Sequence, residues 1–111
     1  MTFQQFTEAV PFETVCAGAA ADIRAGYTSD LLSDVMAHCP EESVLVTVQN
    51  HTNTIAVATL VGAAAIVICH GRDIPQEMRD AAEAQGVAIL RTPLSQFEAT
   101  CAVAEVLKRA V

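Results

Sequence analysis

The stretch from residue 44 to residue 62 constrains the fold more than any other part of the chain. Residues 44–48 form a nearly continuous run of β-branched and apolar side chains, which is typical of a strand buried on both faces of a parallel sheet. Six polar residues follow at positions 49–54, and the apolar residues 55–60 then suit a buried helix. This order places the polar turn at the carboxyl end of a strand, where open α/β sheets bind ligands.

Length and composition indicate a single compact unit. A chain of 111 residues suffices for one core, so we predict one domain over residues 1–111. Apolar residues make up 52% of the chain and charged residues 17%, which favours a packed interior over disorder. No apolar run reaches the roughly 18 residues of a membrane span, and no signal peptide is visible at the start. We therefore expect a cytoplasmic protein.

The charge balance excludes two classes of partner. The net charge is −7, and the six basic residues are scattered along the chain. Proteins that bind nucleic acid or anionic membranes cluster Lys and Arg to neutralise phosphates. The sequence therefore predicts neither nucleic acid nor membrane as a partner.

Strand and helix patterns alternate from residue 43 to the end, with short turns between them. This alternation predicts an α/β fold of three layers, a mainly parallel β-sheet flanked by helices. Capping-box spacings mark the starts of three helices: Thr2 with Gln5, Asp73 with Gln76, and Ser95 with Glu98.

Three further helix features are predicted from local patterns. Asp73 is expected to cap the helix that stops at Gly86. A helix over residues 28–39 is expected to begin at Thr28 or Ser29, and its apolar stripe consists of Leu31, Leu32, Val35 and Met36. The last helix is expected to turn four residues inward: Phe97, Cys101, Ala104 and Leu107.

Three stretches carry a family resemblance: residues 26–36, residues 47–53 leading into 56–58, and Thr92 with residues 95–98. Together they resemble the DRTGG-domain family, in particular small stand-alone members that are often labelled after HPr kinase, and the resemblance covers nearly the whole chain. It implies an α/β fold with a mainly parallel sheet, commonly a dimer, and a regulatory role. Stand-alone members are similar to proteins found beside hydrogenase and redox-signalling components, which implies a role in redox or energy-metabolism signalling.

The chain departs from the family pattern in one respect. It contains no Asp-Arg-Thr-Gly-Gly run, and residues 49–54 stand in its place. It also contains no G-x-x-x-x-G-K-[ST] loop to hold phosphates, which argues against kinase activity. We expect no cofactor.

The polar residues 49–54 are the main candidate site. Gln49, His51 and Asn53, together with the amino end of the following helix, suit a small polar or anionic ligand or a partner protein. A helix cap alone needs one such residue, so a run of six favours a binding role.

Ser29 and Asp30 form a second candidate group. Asp30 and Asp34, at positions i and i+4, share one face of the predicted helix and could present both carboxylates to a cation or a partner. The alternative is a helix cap followed by a solvated face. The resemblance favours a ligand-binding role for Ser29 and Asp30, and adds Thr92.

Two other functions stay open at this point. One is a small enzyme, a hydrolase or transferase, using His51 and Asp30. The other is a metal or redox sensor using Cys69 and His51, because Cys16, Cys69, His51 and His70 would all lie near one edge of the proposed sheet. Against the sensor, isolated cysteines in a cytoplasmic chain are usually buried thiols, and we assign neither a catalytic residue nor a metal ligand.

We also predict a homodimer. A chain of 111 residues has too small an interior to bury all of its apolar residues, which make up 52% of the sequence. Small domains with apolar residues left on the surface usually form symmetric dimers. The stripe of the helix over residues 28–39 is the candidate contact.

Overall fold

A computed structural model describes residues 1–19 and 21–109, so residues 20, 110 and 111 of the predicted domain lie outside the description. The helices and strands follow in the order α1 (Phe3–Ala9), β1 (Glu13–Cys16), β2 (Ala25–Thr28), α2 (Leu32–His38), β3 (Ser43–Thr47), α3 (Thr52–Val61), β4 (Ala65–Ile68), α4 (Gln76–Gln85), β5 (Ala88–Arg91) and α5 (Gln96–Arg109).

The strands form one sheet in the order β1-β5-β4-β3-β2. β2, β3, β4 and β5 run parallel, and β1 lies antiparallel to β5 at one edge. Every residue of β3 and of β4 is buried, because helices cover both faces of the sheet. At the centre, Leu45 pairs with Ile66, which in turn pairs with Ile89.

Each face of the sheet has its own hydrophobic core. One core buries Phe6 of α1 and Val103 of α5 against strand residues that include Val46. The other buries Val35, Ile55 and Met78, one from each of α2, α3 and α4, beneath the opposite face of the sheet. The fold is therefore a three-layer α/β structure with a mainly parallel sheet, as the sequence predicts.

Local capping signals predict the helix ends well where side-chain hydrogen bonds make the cap. The Thr2 and Gln5 box is present, with Gln5 N donating to Thr2 Oγ1 at 3.1 Å. The Ser95 and Glu98 box is present in the same form, with both reciprocal bonds at 3.1 Å. Gly86 ends α4 in the left-handed conformation. These predictions are confirmed.

Two helix starts were predicted wrongly. Residues 28–31 are not helical, because β2 extends to Thr28 and Leu31 is the N-cap of α2. The helix after β4 begins at Gln76 with Pro75 as its N-cap, not at Asp73. In the first case β2 occupies the residues that could have begun the helix, and in the second Pro75 disfavours the helical conformation for Ile74, the residue before it.

The inward face of α5 also differs from the prediction. Phe97, Cys101 and Ala104 are exposed and Leu107 is half-buried. The residues that α5 buries are Ala99, Val103 and Val106. Both sets have helical spacing, so the position of the sheet decides which one faces the core.

Among the described residues, no helix is long and apolar enough to cross a membrane.

Candidate functional site

The loops that follow the parallel strands meet at one edge of the sheet, here called the carboxyl edge. β2 ends there at Thr28, β3 at Thr47, β4 at Ile68 and β5 at Arg91. The polar turn at residues 49–54 follows β3, which lies between β2 and β4 in the sheet. The turn therefore has a loop on either side of it.

The Gln49 side chain joins two of these loops. Its Nε2 donates to the main-chain oxygen of Asp30 at 2.7 Å, across 19 residues of sequence. Its Oε1 lies 3.1 Å from Nε2 of His51. One amide group thus connects the segment after β2 with the imidazole at the start of α3, so the structure brings Gln49, His51 and Asp30 together. The link to Asp30 uses the main chain and leaves the Asp30 carboxylate on the surface.

The hydroxyls of two buried threonines fix the backbone of the turn at residues 49–54. Gln49 N donates to Thr47 Oγ1 at 3.2 Å, and Thr54 Oγ1 donates to the Gln49 carbonyl oxygen at 2.8 Å. Both threonines are fully buried. A turn fixed at both ends by buried hydroxyls has a defined backbone before any ligand arrives.

His51 is the N-cap of α3, but its side chain makes no capping hydrogen bond. Ordinary capping residues accept a bond from the first-turn N–H groups. Here the imidazole turns to Gln49 instead, and His51 and Asn53 are both exposed. The amino end of α3, with the partial positive charge of a helix terminus, therefore opens to solvent beside these two side chains.

Ser29 and Asp30 lie in the loop between β2 and α2. Ser29 Oγ accepts from Leu31 N at 3.1 Å, which fixes this loop. Because α2 starts after Asp30, the expected pairing of Asp30 and Asp34 on one helix face is wrong. Asp34 instead accepts a 2.7 Å hydrogen bond from the Tyr27 hydroxyl, and this bond, followed by one from Ser29, lowers the pKa of the Asp34 carboxyl.

Thr92 does not join the group. It is fully buried at the end of β5, and its Oγ1 accepts from Leu94 N at 3.2 Å. β4 separates β5 from β3 in the sheet, so Thr92 lies apart from the turn at 49–54. Its hydroxyl stabilises a bend in the chain.

Asn50 and Arg72 are edge residues that the sequence analysis did not select. Asn50 Nδ2 donates to the main-chain oxygen of Asp73 at 2.7 Å, and Arg72 NH1 donates to that of Val48 at 2.8 Å. These bonds join the loops after β3 and β4. Arg72 is exposed, and the salt bridges of the described residues involve Arg24, Arg91 and His38 but not Arg72.

The position of Arg72 could have been noticed from the sequence. It follows the second buried strand just as the polar turn follows the first, and neighbouring parallel strands end at the same edge. Its cationic group gives this edge a positive element in a chain of net charge −7.

The cysteine and histidine cluster expected at this edge does not form. Cys16 lies at the other end of the sheet, because β1 is antiparallel and runs away from the carboxyl edge. Cys69 is fully buried, and burial raises the pKa of its thiol to about 11. Among residues 1–19 and 21–109, no group of three or more His, Cys, Asp or Glu side chains is arranged to hold a metal ion.

These features define a class of domain: a three-layer α/β unit with a pre-shaped polar surface at the carboxyl edge. No protein-family model matches the sequence, and no curated protein matches it. The fold is similar to the crystal structure of the CBS and DRTGG domains of the regulatory region of Clostridium perfringens pyrophosphatase, complexed with the activator diadenosine tetraphosphate. The TM-score is 0.69 at 10% sequence identity, over 95% of this chain and 46% of the other.

This match confirms the resemblance to a DRTGG-like domain at the level of fold. The chain spans less than half of the matched chain, which also contains CBS domains.

Proposed function

We propose that this chain is a non-catalytic regulatory domain that binds a small polar or anionic ligand, or a partner protein, at the carboxyl edge and acts as a homodimer. The observation that carries the proposal is the Gln49 bridge, which links the Asp30 main chain to the His51 imidazole. The bridge holds His51 next to the open amino end of α3. A ligand would meet His51, Asn53 and the first-turn N–H groups without rearranging the loops.

Charge supports an anionic or polar ligand over a cationic one. The amino end of α3 carries partial positive charge, and Arg72 lies in the adjacent loop. The matched pyrophosphatase region is complexed with diadenosine tetraphosphate, a polyanionic nucleotide. Adenine nucleotides and inorganic phosphate are therefore the first compounds to test.

The arrangement gives less support to catalysis. A general base is oriented by a partner that stabilises its charged form. The partner of His51 is the neutral amide of Gln49, and the Asp30 group that joins this network is a main-chain oxygen. We therefore place His51 in ligand recognition. The chain would act in redox or energy-metabolism signalling, in line with the stand-alone proteins that it resembles.

Substitution of His51 tests the site. Native mass spectrometry of the freshly purified protein identifies a retained ligand, and thermal melts with phosphate, ADP, ATP and diadenosine tetraphosphate screen for others. His51→Ala should change the free energy of unfolding by less than about 1 kcal/mol, because His51 is exposed. It should weaken binding by about 1–3 kcal/mol, the usual cost of a lost polar contact.

His38→Ala is the matched control. His38 is also exposed, but it lies in the last turn of α2, away from the carboxyl edge. Its replacement should leave ligand binding unchanged. A His51→Ala protein that melts far lower and still binds every ligand and partner of the parent would instead assign His51 a structural role.

A further inference from the structure

The two outer strands of the sheet differ in how their free edges are protected. In β1, the Glu13 carboxylate lies 4.0 Å from Arg91, and the register with β5 shifts between Thr14 and Cys16. Charged side chains and such irregularities protect sheet edges from association. β2 (Ala25–Thr28) has no charged or proline residue and pairs with β3 in regular register. The β2 edge therefore lacks the protection that β1 has.

The backbone of β2 offers hydrogen-bonding groups on its outer side. Ser29 N donates to the Val46 carbonyl oxygen at 3.2 Å, which places the N–H of Ser29 on the β3 side. Because these groups alternate along a strand, Tyr27 faces β3 as well, while Gly26 and Thr28 face outward. β2 is the last strand of the sheet order, and both outward residues are exposed. An added strand would find N–H and C=O groups ready to pair.

An apolar groove lies beside this edge, between β2 and α5. Its volume is about 470 Å³, and none of the side chains that the structure describes along its wall is charged. Gly26 keeps the groove open, since a Cβ at this position would lie 3.1 Å from Cγ1 of Val103. The Thr28 hydroxyl lies 2.6 Å from the Thr100 hydroxyl and donates to it, because Thr100 donates its own proton to the Gln96 carbonyl oxygen. The rest of the wall is apolar and includes Val46, Val103, Ala104 and Leu107.

The net charge of the chain restricts what can bind at this edge. Two copies of a protein with net charge −7 repel each other, and the repulsion is smallest where the surfaces that meet carry few acidic groups. The strip formed by β2 and the groove is such a surface, and a second copy presents the same uncharged strand and the same groove. A symmetric pair needs a self-complementary patch of this kind.

We infer that a second copy of this chain binds at the β2 edge, with the two β2 strands paired antiparallel. This inference rests on the homodimer of the proposed function and assigns its interface. Gly26 of one copy exchanges N–H···O=C hydrogen bonds with Thr28 of the partner subunit, so the twofold axis passes beside Tyr27. The two sheets become one continuous sheet, and the grooves are covered where the two α5 helices meet.

The opposite face of the sheet adds apolar contact to the same interface. Tyr27 joins α2 to β2 through its hydrogen bond to Asp34. α2 and the loop before it expose Met36 (49%) and Leu31 (61%). In the dimer, these residues would lie near their copies across the twofold axis. The exposed part of the apolar stripe predicted for α2 thus forms one side of the proposed interface, and the β2 backbone forms its centre.

Paired charge substitutions test the inference by sedimentation. The parent protein should sediment at twice the monomer mass of 11.7 kDa at high micromolar concentration. Ala104→Glu puts a carboxylate into the groove of both copies and should raise the dimer dissociation constant roughly tenfold or more. Ala84→Glu is the control, since Ala84 is an exposed alanine of α4. It should leave the constant unchanged.

Edge lysines give a second matched pair that addresses the strands themselves. Thr28→Lys in β2 should weaken the dimer, and Thr14→Lys in β1 should not, although both threonines are exposed in outer strands. Amide hydrogen exchange should also slow at residues 26 and 28 as protein concentration rises. Circular dichroism and melting temperature verify that each variant is folded.

Three results would overturn the inference. A parent protein that is monomeric at high micromolar concentration removes the dimer itself, and with it that part of the proposed function. A dimer that Met36→Glu dissociates but Ala104→Glu and Thr28→Lys do not would form through α2 alone. A dimer whose amides at residues 26 and 28 stay unprotected would not pair through β2. In the last two cases, the homodimer and the ligand site of the proposed function would both stand.

Discussion

The central strands and the outer strands of this sheet differ in almost every physical respect. All nine residues of β3 and β4 are buried, with Leu45 and Ile66 paired at the centre. In β1 and β2, by contrast, no residue is buried: each strand has two partly covered and two exposed residues. The centre consists of aliphatic side chains held on both faces, and the outer strands carry Glu13, Tyr27 and threonines.

This difference separates stability from recognition. Hydrophobic burial contributes most of the folding free energy, and β3 and β4 lie at its centre with helix residues packed on both of their faces. The groups that we propose for binding lie at the boundary of that core: the turn that leaves β3, and the outer edge of β2. Substitutions in the centre should therefore affect folding, and those at the boundary should affect function with little effect on folding.

The largest effect is expected at the centre. Leu45→Ala or Ile66→Ala should lower the free energy of unfolding by about 2–5 kcal/mol, because each removes a fully buried aliphatic side chain. Urea denaturation at one fixed protein concentration measures the loss. Leu60→Ala, at a leucine that is 71% exposed on α3, is the control and should change it by about 0.5 kcal/mol or less. If the two core variants lost less than about 1 kcal/mol of unfolding free energy, the central strands would not be the main source of stability.

An intermediate effect is expected where the chain leaves β1. Gly18 has φ +63°, and a Cβ there would lie 2.6 Å from Ala88 N and 2.7 Å from the Val87 carbonyl carbon. Gly18→Ala should therefore lower the free energy of unfolding by roughly 1–3 kcal/mol through backbone strain alone. The steric clash of the new Cβ should add to this loss.

Gly71→Ala is the matched comparison for Gly18→Ala. Its φ is +60°, almost the same, but the nearest atom to a new Cβ is Pro93 Cα at 4.0 Å. It should cost less than Gly18→Ala, since only the left-handed conformation is penalised. Equal losses in thermal or urea unfolding would mean that the close approach of the chain to β5 is unimportant.

The smallest effect is expected at the surface of β2 and depends on pH. The Tyr27 hydroxyl lowers the pKa of the Asp34 carboxyl, and the same hydrogen bond raises the pKa of Tyr27. A carboxyl with a lowered pKa adds stability above its unfolded pKa of about 3.9, and that stability is lost as pH falls through the folded value. Tyr27→Phe should therefore raise the Asp34 pKa and slightly lower the melting temperature at pH 7.

The two proteins should then converge in acid, below the folded pKa of Asp34. NMR titration measures the pKa of the Asp34 carboxyl, and thermal melts at pH 7 and in acid measure the change in melting temperature. In an Asp34→Asn background, Tyr27→Phe should lose its pH dependence. If Tyr27→Phe left the Asp34 titration where it is, the hydrogen bond would not be the cause of the shift.

Local features of the sequence predict much of this fold and part of the candidate site. The Thr2 and Ser95 capping boxes depend on residues three positions apart, so they are readable without knowing the rest of the chain. The buried strands around Leu45 and Ile66 can be predicted from the sequence because unbroken aliphatic runs are typical of strands that are buried on both faces. The polar turn after β3 was placed at the carboxyl edge by the same reasoning.

Features that depend on long-range contacts were not predictable in this way. The direction of β1 moved Cys16 to the opposite end of the sheet, and this short outer strand has no unbroken apolar run to indicate whether it pairs parallel or antiparallel. The helical spacing in α5 fits two different inward faces, and only the placement of β2 and β3 selects the one with Val103. The polar turn at the carboxyl edge was found from the sequence, but Arg72 in the adjacent loop was not.

The sequence by itself determined the local elements of this protein, the alternation of strand and helix, and the edge at which polar residues accumulate. These depend on neighbouring residues and on the periodicity of apolar side chains. Only the tertiary structure decided that Gln49 reaches Asp30 across 19 residues, that Thr92 is buried, and that β2, which has no charged residue, is an outer strand of the described sheet. The physical reason is that hydrogen bonds and burial between distant segments depend on strand order, and strand order is set by the packing of the whole core.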